Sequence, residues 1–340
     1  MKVLILKPSS LGDVIQALPV ARLIKRHLPH SRIYWWVDAS LAPLLEGDPD
    51  LAGIVRFERR RWAQPKYLRQ FLRDLRWMRA QHFDWVIDLQ SLARSGAVAW
   101  LANGKKLVGL DEPREGARGF YDVIVQRPSW HTHAVDWYLR ALEPLQVPTT
   151  PSFTWLPERA EAAAAIRQKW DVAGARWVLL QPGARWENKR WPATNFAAVA
   201  QQLAADAADL RFAVLGGRDD AEAGQAIAAA LPGRCLDLTA KTSLPEMIEW
   251  VRLGKMLITN DTGPMHVAAA MRKPVVAVFG PTSPHRTGPY GQIENVLRIE
   301  LPCSPCLKPR CHYVQPLACL RGVDVGRVVA AARRALAGCG

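Results

Sequence analysis

Apolar positions along this chain follow two rhythms that alternate from the first residues. Short unbroken runs at 3–6, 32–37, 54–57 and 84–89 have the length and the β-branched or aromatic content of strands covered on both faces. Between them lie stretches with helical spacing. Residues 14–28 form one, with Pro19 predicting a kink or a restart. A helical turn is expected at 41–45 and an amphipathic helix at 66–79. Leu68, Phe71, Leu72, Leu75 and Met78 fall on one face of that helix and Lys66, Arg69, Arg73 and Arg76 on the other. After a polar turn at Gln90 and Ser91, the stretch 92–101 and a helical pattern at 133–145, the Pro- and Thr-rich residues 147–152 read as a linker. The pattern then restarts: helix 158–170, strand 177–181, loop 182–192, helix 195–207, strand 212–215, helix 219–230, strand 235–238 and helix 244–253. Such alternation predicts an α/β fold with parallel sheets. The 340 residues exceed the roughly 250 that one core supports, so two domains are expected, 1–150 and 151–340.

Composition places the chain among soluble globular proteins, with 49% apolar and 22% charged residues. No apolar run approaches the roughly 20 residues of a membrane span, and the run at 3–6 is too short for a signal-peptide core, so a cytoplasmic protein is expected. The net charge of +14 calls for an anionic partner: a phosphorylated ligand, nucleic acid or an acidic membrane surface. Residues 1–150 carry 22 Lys and Arg against 15 Asp and Glu, and 56–79 alone carry nine against two, which is the whole excess of that half. Within it, Arg59, Arg60 and Arg61 are adjacent and repel one another unless an anion is near; ligand contact and a solvated loop both fit. Four of the six cysteines follow the pattern Cys303-x2-Cys306-x4-Cys311-x7-Cys319. That spacing suits a tetrahedral zinc or iron site as well as a set of reduced thiols.

The stretch 256–282 concentrates the candidate chemistry. An apolar strand at 256–259 is broken by Asn260 and Asp261, Thr262 and Pro264 suit a helix start, the helix runs over 266–271, and a second strand follows at 275–279. Free N–H groups at Thr262 and Gly263 would then stand at the carboxyl edge of a sheet, where phosphate binds. No G-x-G-x-x-G or G-x-x-x-x-G-K-[ST] occurs, which disfavours a dehydrogenase or a P-loop kinase. Gly216 and Gly217 after a strand fit either close ligand approach or a plain turn. Asp13, in the loop after the first strand, is either a helix N-cap or a carboxylate facing a ligand. Asp48-Pro49-Asp50 lies in a proline turn away from any motif and is not read as a metal site.

The chain resembles the ADP-heptose:lipopolysaccharide heptosyltransferases of glycosyltransferase family 9 over most of its length. Ser9-Ser10-Leu11-Gly12-Asp13, Asp88-Leu89-Gln90-Ser91-Leu92, Arg114-Glu115-Gly116 and Lys189-Arg190-Trp191-Pro192 carry the likeness in the first part. Leu238 to Leu244, Asn260 to His266, Phe279-Gly280-Pro281-Thr282 and Gly288-Pro289-Tyr290-Gly291 continue it. The resemblance implies a GT-B fold: two Rossmann-like domains facing an interdomain cleft, the first binding the acceptor and the second the nucleotide sugar. It implies inverting transfer of a heptose from ADP-heptose to the inner core of a lipopolysaccharide precursor, without a metal for catalysis. Asp13 matches the catalytic base. Lys189, Asp261, Thr262, Gly263 and His266 match the donor site, Glu222 the ribose-binding carboxylate, and Arg185 and Arg190 flank Lys189. Arg59, Arg60, Arg61 and Arg118, with Lys66 and Arg94 behind them, are the acceptor candidates. Relatives that modify autotransporter proteins hold iron on four cysteines, which makes Cys303, Cys306, Cys311 and Cys319 metal candidates and a protein acceptor the alternative. A non-catalytic polyanion-binding module is the other. The implied partners are ADP-heptose, a lipopolysaccharide core or lipid A precursor and the inner-membrane surface, with no nucleic acid, and the implied place is cytoplasmic and peripheral to that membrane. Three positions depart from the family: Ala240 for a common glycine, Arg94 for lysine, and Trp137 for a usual arginine.

Overall fold

The structure, a computed structural model, describes residues 1–58, 64–112, 115–151 and 155–338. It divides into two compact units, Met1–Pro157 and Glu158–Gly340. The sequence places the boundary at 150. The compact division falls after Pro157, because Trp155 is buried against the first unit, where its carbonyl accepts from Arg22 Nε at 3.0 Å and Nη2 at 2.7 Å.

In the first unit the strands are β1 (Lys2–Leu6), β2 (Arg32–Asp38), β3 (Leu51–Phe57), β4 (Trp85–Asp88), β5 (Lys106–Leu110) and β6 (Val123–Val125). They form a parallel six-stranded sheet in the order β3-β2-β1-β4-β5-β6. The helices are α1 (Leu11–His27), α2 (Pro65–Ala80), α3 (Ala93–Ala102) and α4 (Ala134–Leu139). β5 and β6 are absent from the pattern read along the sequence. β6 has only three residues, and Gly109 interrupts the apolar run of β5 because the Tyr121 ring lies where its Cβ would be, 2.2 Å away at the nearest atom.

α1 neither restarts nor ends at Pro19. It continues to His27 with twelve of its side chains buried, enough apolar contact to outweigh the roughly 3 kcal/mol that an interior proline costs. Asp48 and Asp50 form no metal site either: both grip the guanidinium of Arg22, Asp50 at 2.7 Å, in a largely buried cluster.

The second unit repeats the plan. Its strands are β7 (Arg176–Gln181), β8 (Leu210–Val214), β9 (Cys235–Asp237), β10 (Met256–Asn260), β11 (Val275–Val278) and β12 (Val296–Leu297), in the order β12-β11-β10-β7-β8-β9. This is the first sheet's order with its numbering restarted at β7. Around them lie α5 (Ala160–Lys169), α6 (Ala193–Asp206), α7 (Ala221–Ala229), α8 (Leu244–Leu253), α9 (Gly263–Ala270), α10 (Pro284–Thr287), α11 (Ala318–Arg321) and α12 (Val325–Ala337). Val178, Leu180, Phe212, Val214, Ile258 and Val276 from the sheet meet Phe196, Val199 and Leu203 of α6 and Val328 and Ala332 of α12 in one core. Two doubly wound α/β units are the architecture expected from the alternating pattern.

Ala240 sits at φ +57°, exposed in the turn after β9. An L-residue with a side chain pays about 1 kcal/mol there, which accounts for the glycine usual at this position. Replacing Ala240 with glycine is expected to stabilise the protein by about 0.5–1 kcal/mol in urea unfolding. A loss of stability would show that the turn is not strained.

Candidate active site

Both sheets reverse direction beside their first strand, between β1 and β4 in one unit and between β7 and β10 in the other. Ligands of such sheets bind at the carboxyl ends of those strands. In the first unit Lys7 follows β1 and Asp88 ends β4. Lys7 is 4% exposed, and its ammonium donates to Leu89 O at 2.9 Å, spanning the two strand ends. It also lies 4.6 Å from the centre of the Tyr138 ring. Burial opposes its charge, but Tyr138, Asp13 and Asp88 outweigh that and hold its pKa above the ordinary lysine value.

Asp13 is in the first turn of α1. Its Oδ2 accepts from Ser10 N at 2.9 Å and Ser10 Oγ at 2.6 Å, while Oδ1 lies 3.3 Å from the Tyr138 hydroxyl. The N-cap of α1 is Ser10 and not Asp13, which stands three residues on and bonds back to the cap residue, and this contact fixes the carboxylate. α1 packs along α4, which brings Tyr138 to it. Tyr138 is buried, which pushes its hydroxyl above the ordinary tyrosine pKa and keeps it a neutral donor.

Asp88 is fully buried and accepts from Gln90 N and Ser91 N, both at 2.9 Å, and from Tyr121 Oη at 2.8 Å. Ser91 Oγ in turn donates to Asp88 O at 2.8 Å and accepts from Leu110 N at 2.7 Å. The Asp88–Leu92 motif thus builds the loop after β4 and ties it to β5. Burial, opposed by these hydrogen bonds, holds the Asp88 carboxyl above the usual range. Lys7, Asp88 and Tyr138 were not read as site residues from the sequence; the signal available was a lysine directly after an apolar strand and an aspartate ending another.

In the second unit Asn260, fully buried at the end of β10, holds the loop 182–192 in place. Its Nδ2 donates to Pro182 O at 2.6 Å and its Oδ1 accepts from Trp191 N at 3.1 Å. Trp191 is itself buried, with Nε1 donating to Val323 O at 3.2 Å. This clamp delivers Lys189 to Asp261. Lys189 Nζ is 2.6 Å from Asp261 Oδ2, which also accepts from Thr282 Oγ1 at 2.6 Å, and the ammonium lies 4.7 Å from the centre of the Trp186 ring.

Beside this pair a cavity of about 330 Å3 opens at the carboxyl edge of the sheet. Arg185, Arg190, Gly216, Gly217, Asp220 and Thr262 are among its lining residues. The amino ends of two helices also open on it: α8, with Thr242, Ser243 and Leu244, and α9, with Thr262 and Pro264. Ser243 and Glu246 cap the first reciprocally, at 2.7 and 3.4 Å, whereas Thr262 makes no side-chain cap bond to the second. Arg185 and Arg190 face Asp219 and Asp220 in the lining, with Arg190 Nη2 3.6 Å from Asp220 Oδ1, so the side-chain charges balance and the two helix amino ends supply the positive potential suited to a phosphate. Gly183 approaches the Asp220 carboxylate so closely that a Cβ would lie 2.3 Å from it.

Of the donor residues expected from the sequence, Thr262 lines the cavity, Gly263 begins α9, and Lys189 and Asp261 are paired next to it. His266 lies one turn into α9 and is buried. Glu222 is exposed on the first turn of α7, while its neighbours Asp219 and Asp220 line the cavity. Arg118 is ion-paired with Asp111, and Arg94 and Lys66 are exposed. Arg59, Arg60, Arg61 and Arg114 lie outside the described residues. Trp137, which departs from the usual arginine, is buried, its Nε1 donating to Val125 O at 3.2 Å and the Arg127 guanidinium lying 4.8 Å from its ring centre.

Cys303, Cys306, Cys311 and Cys319 line one cavity of about 230 Å3. Among the described residues, however, no group of three or more His, Cys, Asp or Glu side chains is arranged to hold a metal ion. Leu317 N donates to Cys311 Sγ at 3.3 Å, and burial together with the other three thiols pushes Cys319 above the ordinary thiol pKa. The zinc or iron expected from the spacing is not supported.

Residues 71–315 match the family model described as glycosyltransferase family 9 (heptosyltransferase). The chain is also 31% identical over 325 residues to lipopolysaccharide heptosyltransferase 1 of Pseudomonas aeruginosa, covering 92% of this chain and 88% of that one. The chain belongs to glycosyltransferase family 9. It is accordingly a glycosyltransferase, and its paired doubly wound units are of the GT-B class. The fold is similar to that of the E. coli ADP-heptose lipopolysaccharide heptosyltransferase II, with a TM-score of 0.78 at 23% identity over 99% of both chains. A family 9 glycosyltransferase from Veillonella parvula is similar at TM-score 0.83 and 23% identity, over 99% of this chain and 97% of that one.

The raised pKa of Asp88 in this family 9 chain has a measurable consequence. A carboxyl whose folded pKa exceeds its ordinary 3.8 adds stability that is complete below that value and lost as pH rises through the folded pKa. The stability of the wild type relative to Asp88→Asn is expected to rise as pH falls towards 3.8 in urea titrations. A difference independent of pH would show that Asp88 is ionised at its ordinary pKa.

Proposed function

We propose that this family 9 enzyme transfers a heptose from ADP-heptose to the inner core of a lipopolysaccharide precursor, with inversion at the anomeric carbon. The observation that carries this reading is the 31% identity, over 92% of the chain, to a protein named for lipopolysaccharide heptosyl transfer. The cavity of the second unit supports it chemically: it supplies the cations and helix ends that a diphosphate leaving group needs.

In this mechanism the acceptor hydroxyl attacks the anomeric carbon while the bond from that carbon to the β-phosphate oxygen breaks. The hydroxyl proton passes to Asp13, and the electron pair of the broken bond leaves on ADP. Ser10 and Tyr138 hold the Asp13 carboxylate in one orientation, with the Lys7 ammonium 4.6 Å from the centre of the Tyr138 ring. Lys189, resting on Asp261, is the cation that meets the diphosphate when the donor arrives, with Thr262 and Gly263 offering the α9 end and His266 behind them. Glu222 takes the ribose hydroxyls.

Arg59, Arg60, Arg61 and Arg118 bind the phosphates and carboxylates of the acceptor. Because that acceptor is lipid-anchored, the enzyme works at the cytoplasmic face of the inner membrane as a peripheral protein. Among the described residues no helix is long and apolar enough to cross a membrane. A protein acceptor is not favoured, since the curated relative is named for lipopolysaccharide, and membership of an enzyme family disfavours a purely binding module.

The test is ADP release from ADP-heptose, with UDP- and GDP-sugars as controls, on truncated lipopolysaccharide. Asp13→Asn is expected to cut kcat about 10²–10⁴-fold while leaving ADP binding intact. Tyr138→Phe is expected to lower kcat about tenfold, because the carboxylate loses a hydroxyl that orients it. No ADP release from any ADP-sugar, or undiminished release by Asp13→Asn, would overturn the mechanism.

A further inference from the structure

Apart from Lys66, which stands behind the acceptor candidates, α2 presents a surface that neither site uses. Over its length it carries five cations, Lys66, Arg69, Arg73, Arg76 and Arg79, against one acid, Asp74, whose Oδ1 accepts from Gln70 Nε2 at 2.7 Å. Leu75 and Met78 fix its inner face in the core with Leu4, Leu6 and Phe83. Helical spacing then sets Arg69, Arg73 and Arg76 along the outer line, with Leu68 and Leu72 on one flank and Trp77 on the other. Leu68, Leu72 and Trp77 are each 41% exposed. Arg79, on the Leu68 flank, donates from Nη1 to Leu101 O of α3 at 3.4 Å, next to Trp100, which is 60% exposed. Four of the ten large apolar side chains exposed among the described residues therefore stand on these two helices, interleaved with guanidinium groups.

We propose that the outer face of α2, with the Trp100 end of α3, docks the enzyme on an anionic phospholipid bilayer. The charge decides the partner: guanidinium groups meet lipid phosphates, while leucine and tryptophan enter the boundary between headgroups and acyl chains. A protein partner would need a contiguous apolar anchor, and here the apolar side chains are separated by cations. The proposal rests on the reading of a lipid-anchored acceptor and specifies which face turns towards the lipid.

Sedimentation of the full chain with phosphatidylcholine vesicles, with and without phosphatidylglycerol, tests it. Binding is expected to be at least about tenfold tighter to the anionic vesicles and to weaken with added salt. Arg69→Glu/Arg73→Glu/Arg76→Glu and Leu68→Ser/Leu72→Ser/Trp100→Ser, checked for folding by circular dichroism, are each expected to lose about tenfold or more of that binding. The apolar triple variant should keep its rate of ADP release on a delipidated, soluble acceptor. Equal binding to both vesicle types, or variants that bind like the wild type, would overturn the proposal. So would a concentration-dependent dimer abolished by the apolar variant in the absence of vesicle binding, which would make a second copy the occupant. Absence of ADP release by the wild type would count against the enzymatic reading alone, leaving the vesicle result standing.

Discussion

The reversal of strand order beside the first strand of each sheet is the constraint from which the rest follows. At that point the chain leaves neighbouring strands towards opposite faces, and the strand ends between them are left with backbone and side-chain polar groups to satisfy. Each unit meets the demand with a side chain that bridges the gap. In the first, Lys7 leaves β1 and donates to Leu89 O beyond β4. In the second, Asn260 at the end of β10 bonds Pro182 O after β7 and Trp191 N further along the same loop. A bridge of this kind is structural, yet it is also what brings charged groups to the sheet edge.

The charges gathered there are expensive unless paired. Lys7 and Asp88 are almost wholly buried, and each is held by several hydrogen bonds or rings rather than by one counter-ion. Lys189 and Asp261 form a closer pair, at 2.6 Å, with Thr282 and Trp186 completing the surroundings of the two. Breaking such a pair by removing one member leaves a buried charge at a cost of roughly 3–5 kcal/mol. A diphosphate, which carries more negative charge than a carboxylate, escapes that penalty where the Lys189 ammonium bridges it and Asp261, since drawing the ammonium away would strand a buried carboxylate. The pair is thus compatible with a donor site that is ordered before its ligand arrives.

The alternating rhythm made the fold legible, since long apolar runs and helical spacing are local properties. Elements whose definition is not local escaped: β6 spans three residues, and Gly109 in β5 is explained only by the Tyr121 ring packed against it. The site was partly legible for the same reason. Asp13, Asp261 and Thr262 stand at strand ends and helix starts, which sequence marks. Lys7, Asp88, Asn260 and Tyr138 act through partners at distant sequence positions, and Tyr138 reaches Asp13 across 125 positions. Asp48 and Asp50 show the converse: a spacing that mimics a metal motif is occupied by Arg22.

The cysteine loop makes the same point from the other side. Spacing left it open between a metal site and a set of reduced thiols, but its backbone contacts give it a mechanical part. Lys308 O accepts from Asn188 Nδ2 at 2.8 Å, Leu307 N donates to Pro281 O at 2.8 Å, and Ser304 Oγ donates to Gly280 O at 2.7 Å. The first contact braces the residue before Lys189, and the other two brace the turn that ends in Thr282. Both members that surround the Asp261 carboxylate are therefore steadied by one loop, and a change in that loop acts on the ion pair through two short connections at once.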